Sequence, residues 1–164
     1  MESSAAAAPF HGTVRSESAD HTHAIGRALG ERAQPGTVVA LVGELGAGKT
    51  RLTKGIAEGL GITGVVNSPT FVLMNEHHGR LPLYHVDAYR LGDPEEGVAA
   101  GLLDEGHTDG VAVIEWADRL DAYLPEERLE IVIEIPDADA TTRDLHWRAH
   151  GRQHVRLASE ALGS

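Results

Sequence analysis

The chain has 164 residues, of which 24% are charged and 41% apolar, and its formal net charge at pH 7 is −11. This length and composition predict one ordinary globular domain with a substantial core. A charge this negative disfavours a protein that grips nucleic acid over a broad basic face. The absence of cysteine excludes disulfides and thiolate metal sites. No apolar run reaches the ~20 residues of a membrane span, and the alanine-rich start lacks the basic residues of a signal peptide, so we expect a cytoplasmic protein.

The expected organisation is a disordered leader, a single domain and a short tail, over residues 1–9, 10–158 and 159–164 respectively. Within the domain, Gly12–Glu17 is predicted as a first strand. Ser18 is a suitable N-cap for a helix that runs through Ala33, with apolar residues along one face. The Pro35-Gly36 pair ends this helix and leads into the next strand.

The most informative stretch is a strand, a glycine-rich loop and a helix in immediate succession. Val38–Val42 is a short, unbroken apolar run, which suits a strand buried on both faces. Residues 43–50, GELGAGKT, match G-x-x-x-x-G-K-[ST] in full, and apolar residues at helical spacing follow Lys49. This order is the one that a phosphate-binding loop requires, and a glycine-rich turn that binds nothing is the weaker alternative.

Each residue type in this loop has a chemical reason. Glycines let the backbone fold around a polyphosphate, and the positive end of the following helix faces the same anion. Lys49 is expected to reach the β- and γ-phosphates, and Thr50 to ligate Mg²⁺. The predicted nucleotide-binding residues of this segment are Gly43, Glu44, Leu45, Gly46, Ala47, Gly48, Lys49, Thr50 and Arg51.

Acidic residues at the ends of two later strands are candidates for the rest of the site. Strand Leu81–Val86 ends at Asp87, and strand Val111–Ile114 ends at Glu115-Trp116. A carboxylate at the carboxyl end of such a strand points into the ligand crevice, and a hydrophobic strand that delivers an acid beside the phosphate loop is the Walker B layout. Either acid alone is also typical of a solvated strand end, but Mg²⁺ beside a phosphate loop needs such partners. Trp116 either packs in the core or lies near the nucleotide.

Two segments between these motifs leave alternatives open. Thr70 follows the Asn67-Ser68-Pro69 turn at a strand entrance, where it either contacts Mg²⁺ or the γ-phosphate or simply follows a Ser/Pro turn. His77 and His78 lie in a predicted polar turn, Asn75–Arg80. Adjacent side chains on a strand point to opposite faces, so a solvated loop is preferred over a metal site.

The remaining segments are predicted from pattern alone. Pro94 opens a helix to about Glu105, and Leu129–Ile135 is a strand. A final pair of strands is predicted over Leu145–Leu157, where basic residues recur at every second position: His146, Arg148, His150, Arg152, His154 and Arg156. On a strand this spacing places them on one face, which is either solvated or a patch for RNA or a partner.

Four motifs occur in one order along the chain: GELGAGKT, NSPTF, YHVDAYRL and VIEW. This set resembles the bacterial TsaE family, the small P-loop ATPases of tRNA threonylcarbamoyladenosine (t6A) synthesis, over about Ser18–Leu120. The resemblance implies a single α/β domain whose central, mostly parallel sheet is flanked by helices, with antiparallel strands toward the C-terminus. It also implies ATP and Mg²⁺ as cofactors and TsaB and TsaD as partners, with tRNA reached only through that complex.

The resemblance also assigns roles to residues. It implies that Lys49, Asp87 and Glu115 are catalytic, that Thr50 joins the two acids around Mg²⁺, and that the nucleotide lies near a threonine and a tryptophan, here Thr22 and Trp116. In this family the ATPase does not make the modification itself, and slow hydrolysis resets the TsaB–TsaD assembly between rounds.

Two other classes share the phosphate loop. A small-molecule kinase needs an acceptor pocket and an arginine-bearing lid, for which this chain has little length. A GTP-dependent switch needs an Asn-Lys-x-Asp signature, and no Asn-Lys pair occurs. Arg51 and Arg90 are the only arginines obviously close to the motifs, and neither is an evident arginine finger. The sequence therefore predicts an ATPase that is weak alone and stimulated by a partner.

Overall fold

The computed structural model describes residues 10–44, 46–64, 74–87, 109–118, 124–137 and 141–163. The helices and strands of these residues, in chain order, are β1 His11–Ser16, α1 Ala19–Arg32, β2 Val38–Gly43, α2 Lys49–Gly59, β3 Met74–His78, β4 Pro82–Asp87, β5 Val111–Glu115, β6 Arg128–Glu134, β7 Arg143–His150 and α3 Arg152–Ala161. The predicted leader, the predicted helix over 94–105, Leu45 and Thr70 lie outside the described residues. None of the helices in the described part of the chain is long and apolar enough to cross a membrane.

The seven strands form one mixed sheet in the order β1-β7-β6-β2-β5-β4-β3. Its centre is parallel, because β4, β5, β2 and β6 all run the same way. Strands β7 and β3 are antiparallel to their inner neighbours, and β1 is antiparallel to β7. The predicted α/β architecture is confirmed, and the carboxyl ends of β2, β4 and β5 meet at one edge of the sheet.

The three helices pack on one face of this sheet. Val39 and Leu41 of β2 point into the main core together with buried residues of α1, α2 and α3, whereas Ala40 between them belongs to a smaller cluster on the other face. This alternation is the period-two pattern of a strand buried on both sides. The apolar run Val38–Val42 is therefore explained by its central position in the sheet.

Helices α1 and α2 cross in backbone contact. Each carries two glycines one turn apart, Gly26 and Gly30 on α1 and Gly55 and Gly59 on α2. A Cβ atom added at Gly30 would lie 2.1 Å from the carbonyl oxygen of Ile56, and one added at any of the other three would meet a backbone oxygen at 2.1–2.3 Å. Only glycine permits this approach, which fixes α1 against the helix that follows the phosphate loop.

The predicted final pair of strands is wrong beyond His150. Gly151, at a φ of 93°, ends β7, and α3 begins at the next residue. The buried residues His154, Leu157 and Ala158 show the i, i+3, i+4 spacing of a helix, which the alternating basic residues concealed.

The predicted basic face consequently reduces to three residues on β7: His146, Arg148 and His150. The exposed side of the sheet around them also carries acids, since His146 lies 2.7 Å from Glu134, and His150 lies 3.4 Å from Glu130. This surface carries acidic and basic side chains side by side. It therefore supports the interpretation of a solvated strand face and not that of a concentrated basic patch.

The predicted polar turn Asn75–Arg80 is shorter than expected. Strand β3 continues through His78, because its residues pair with β4 as far as Pro82. His77 and His78 therefore point to opposite faces, and His78 lies 3.3 Å from Glu76 at the surface. Within the described ranges, no group of three or more His, Asp or Glu side chains is placed to hold a metal ion.

His154, a buried histidine of α3, is expected to make the stability of the fold depend on pH. His154 is 1% exposed, and its Nε2 accepts a hydrogen bond of 3.0 Å from the backbone N–H of Val38. Burial lowers the pKa of His154 below its ordinary value of 6.5, against a smaller opposing effect of Glu127. Because the unfolded chain binds the proton more readily, the stability from the neutral ring is complete above pH 6.5 and is lost as the pH falls toward the lower folded pKa.

We therefore expect the substitution His154→Gln, whose amide oxygen can still accept from Val38, to reduce the loss of stability between pH 7.5 and pH 5. The measurement is the free energy of unfolding in urea at several pH values, taken as the difference between wild type and variant. His78→Gln, at an exposed histidine, is the control. Parallel pH profiles for wild type and His154→Gln would contradict this assignment.

Candidate phosphate-binding site

The strand, loop and helix predicted around residues 43–50 are present. Gly43 is the last residue of β2, and a Cβ atom there would lie 2.9 Å from the carbonyl oxygen of Ile133. Gly46 and Gly48 have φ angles of 83° and 114°, in the left-handed region that favours glycine. Gly48 is the N-cap of α2 and supplies no side-chain cap, so the helix presents backbone N–H groups and its positive end at the loop. This is the arrangement that binds phosphate.

Lys49 lies folded into the loop and is only 5% exposed. Its Nζ donates hydrogen bonds to the carbonyl oxygens of Gly43, at 2.5 Å, and Glu44, at 2.9 Å. Burial lowers the pKa of Lys49, while nearby carboxylates oppose that shift: Glu115, Asp118, Asp87 and Glu44. The loop therefore holds one buried cation that faces acids from the neighbouring strands.

Trp116 lies beside this lysine and also packs against the smaller core cluster, so its contact with a nucleotide stays a prediction. The Lys49 Nζ is 4.1 Å from the centroid of the indole ring, a cation–π contact worth about 0.5–2 kcal/mol. Trp116 also has a φ of 59°, and among the described residues it is the only non-glycine with a positive φ. Such backbone strain costs about 1–3 kcal/mol and clusters at functional sites. The geometry thus places the indole at the phosphate loop, with its backbone turned sharply after β5.

Asp87 and Glu115 lie side by side at the same edge of the sheet. They are paired in the register of the parallel strands β4 and β5, and Glu115 is level with Leu41, two residues before the loop begins. Their exposed fractions are 6% and 3%. Two ionised carboxylates on adjacent strands repel each other when they are nearly buried, so a nearby cation stabilises them. The structure brings both acids together beside the loop, and their roles there stay predictions.

Other predicted residues fall around the loop in different environments. Thr50 is half-buried in the first turn of α2, and Ala47 is fully buried. Three predicted nucleotide-binding residues are exposed: Glu44, Gly46 and Arg51. Thr22 is buried with its hydroxyl 2.6 Å from the Ser16 hydroxyl, and its methyl group lies 3.8 Å from the position of a Cβ atom at Gly48. Thr22 therefore lies beside the loop, and its contact with a nucleotide stays a prediction.

Sequence reasoning missed two side chains at the site. Arg143, at the start of β7, donates from Nε to the carbonyl oxygen of Ala47 at 3.1 Å. No local motif indicates this contact. The expectation that Arg51 and Arg90 are the only arginines close to the motifs is therefore wrong. His85 lies against Glu115, with 2.5 Å between Nε2 and Oε2. His85 stands two residues before Asp87 on the same strand. The alternation of side chains along a strand therefore indicated that the two residues point to the same face of β4.

The fold and the loop define a P-loop NTPase-like α/β domain. A crystal structure of YdiB from Bacillus subtilis has the same fold, with a TM-score of 0.78 and 39% sequence identity, over 93% of this chain and 94% of that one. The model of the family described as threonylcarbamoyl adenosine biosynthesis protein TsaE matches residues 16–145. The chain belongs to the TsaE family.

Relatives that carry the name tRNA threonylcarbamoyladenosine biosynthesis protein TsaE are similar along most of their length. The Bacillus subtilis protein is 45% identical over 147 residues, which are 89% of this chain and 90% of that protein. The Treponema pallidum protein is 43% identical over 73% of this chain and 89% of its own length. The family match over residues 16–145 spans the phosphate loop and both acids.

Proposed function

We propose that this protein binds Mg²⁺ and ATP at residues 43–50, hydrolyses ATP slowly, and serves the threonylcarbamoyl modification of adenosine in tRNA together with TsaB and TsaD. Membership of the TsaE family and the names of the relatives support the pathway. The observation that carries the chemistry is the buried Lys49 in a glycine loop, facing the paired carboxylates Asp87 and Glu115.

The donor set fits magnesium. Mg²⁺ prefers oxygen ligands and usually keeps several waters, so one or two carboxylates and a hydroxyl suffice beside a phosphate. Thr50, Asp87 and Glu115 would supply those oxygens, and two buried acids side by side favour a cation for electrostatic reasons. The bound ion would neutralise charge on the phosphate oxygens.

Residues of the chain divide the remaining work. Backbone N–H groups of the loop and of the start of α2 hold the phosphates, and Lys49 stabilises the charge that grows on the phosphoryl group. Glu115 orients the attacking water and accepts its proton. The bond from the γ-phosphorus to its bridging oxygen breaks as the water oxygen attacks, which yields ADP and phosphate.

The role of Glu115 leads to a specific expectation. Glu115→Gln should lower the turnover number about 10²-fold, because an amide is a poor proton acceptor, and should leave the affinity for ATP nearly unchanged. Steady-state phosphate release and a binding titration measure the two quantities separately. Glu58→Gln, at a half-exposed acid on α2, is the matched control. Equal losses of affinity and rate in Glu115→Gln would make this residue purely a binding group.

Partners are expected to complete the catalytic site. A cation supplied by another protein accelerates phosphoryl transfer by about 10³–10⁵ in related mechanisms. We expect phosphate release to be slow for the protein alone and to rise when TsaB and TsaD are added. The assay contains no hydroxyl acceptor, so phosphate release also distinguishes hydrolysis from the small-molecule kinase alternative. Failure of both proteins to bind or stimulate it would refute the proposed partnership.

A further inference from the structure

His85 is completely buried in β4, where its only described hydrogen-bond partner is a carboxylate of the site. Its Nε2 lies 2.5 Å from Oε2 of Glu115, and the two side chains are 0% and 4% exposed. The other ring nitrogen, Nδ1, has no hydrogen-bond partner among the described residues. The imidazole thus lies within the sheet and is directed at Glu115.

The strand register explains this contact. His85 and Asp87 point to the same face of β4, and Glu115 pairs with Asp87 on the adjacent strand, so the imidazole lies diagonally across from the Glu115 carboxylate. An ionised carboxylate only accepts hydrogen bonds, so His85 donates from Nε2.

This hydrogen bond restricts what Glu115 can do. A free glutamate carboxylate rotates and offers two equivalent oxygens. Here the imidazole engages one lone pair of Oε2 and fixes the orientation of the carboxylate, while Oε1 is not contacted by the ring. Hydrogen-bond partners of this kind orient the groups that act directly, and their removal typically costs 10–100-fold in affinity or activity, as an order of magnitude.

We propose that His85 is a positioning residue, which holds the Glu115 carboxylate in one orientation through its contact with Oε2. The inference rests on the proposed function, since it concerns the same acid. It assigns no contact between His85 and the nucleotide. Loss of the imidazole should therefore affect turnover and spare nucleotide affinity.

Three substitutions test this role. His85→Met fills the same space without a donor, His85→Gln keeps an N–H donor near the position of Nε2, and His77→Gln is a control on the neighbouring strand. We expect His85→Met to lower the turnover number about 10–100-fold with an unchanged dissociation constant for Mg·ATP. His85→Gln should recover most of that loss. Full activity in His85→Met, or equal losses of activity and nucleotide affinity in both His85 variants, would overturn the proposal.

A second readout does not depend on hydrolysis. In ¹⁵N-histidine NMR spectra of the protein without nucleotide, we expect one ring Nε2–H that exchanges slowly with water, disappears in His85→Gln and shifts in Glu115→Ala. Absence of that signal would overturn the inference. If the signal is present but the wild type releases no phosphate, alone or with TsaB and TsaD, the proposed function fails, while the orientation of Glu115 by His85 is upheld.

Discussion

Replacing Lys49 with alanine is expected to lower kcat/KM for ATP hydrolysis by roughly 10³-fold or more, which corresponds to several kcal/mol of lost transition-state stabilisation. The lysine is the cation that the loop itself supplies, and its Nζ lies within hydrogen-bond distance of two loop carbonyl oxygens. A neutral methyl group in its place leaves the charge on the transferred phosphoryl uncompensated. Initial rates of phosphate release over a range of ATP concentrations measure this effect.

Lys54→Ala is the matched control for this experiment. Lys54 is the only other lysine of the chain, and it lies on α2 one turn beyond the loop. The Lys54→Ala variant should have the same kcat/KM for ATP hydrolysis as the wild type. Urea unfolding of both variants shows whether the fold survives, since Lys49 is also buried against Trp116. A folded Lys49→Ala protein with unchanged kcat/KM would refute the assignment of this loop.

The largest loss of stability is expected from Gly30→Val. The first side-chain carbon would lie 2.1 Å from the carbonyl oxygen of Ile56, and backbone cannot yield there as a flexible side chain would. Separating α1 from α2 opens the main core, so the free energy of unfolding should fall by about 3 kcal/mol. Chemical denaturation at neutral pH measures this quantity. Nucleotide affinity should fall as well, because α1 carries Thr22 against the loop.

Gly64→Ala tests whether the effect belongs to the helix crossing. Gly64 is exposed, and a Cβ atom there meets nothing within 4 Å. Its stability should match that of the wild type. A Gly30→Val protein as stable as Gly64→Ala would mean that the close approach of α1 and α2 is not required for the fold.

The sequence predicted those parts of the site that local chemistry dictates. The glycine loop, the buried strand before it and the helix after it are encoded within Val38–Gly59, and the structure has all three. Asp87 and Glu115 were found because strand ends in a parallel sheet converge, although the two residues are 28 positions apart along the chain. Their pairing in register is a consequence of that topology.

Other features depend on contacts that local patterns do not encode. Arg143 reaches the loop because β7 lies beside β6, so its role depends on strand order and not on neighbouring residues. The positive φ of Trp116 likewise follows from the turn after β5. The glycine spacing of α1 and α2 was visible in the sequence. Glycine usually lowers helix propensity, however, and its position does not indicate which other helix will pack against it. The helix α3 was missed because alternating basic residues imitated a strand.

The most direct test of the account is a crystal structure with Mg²⁺ and a non-hydrolysable ATP analogue. We expect the triphosphate to lie against the backbone N–H groups of residues 46–50, with Lys49 Nζ turned from the loop carbonyls to the phosphates and the metal beside Thr50, Asp87 and Glu115. A triphosphate bound elsewhere, or a metal ion out of reach of both acids, would contradict the account.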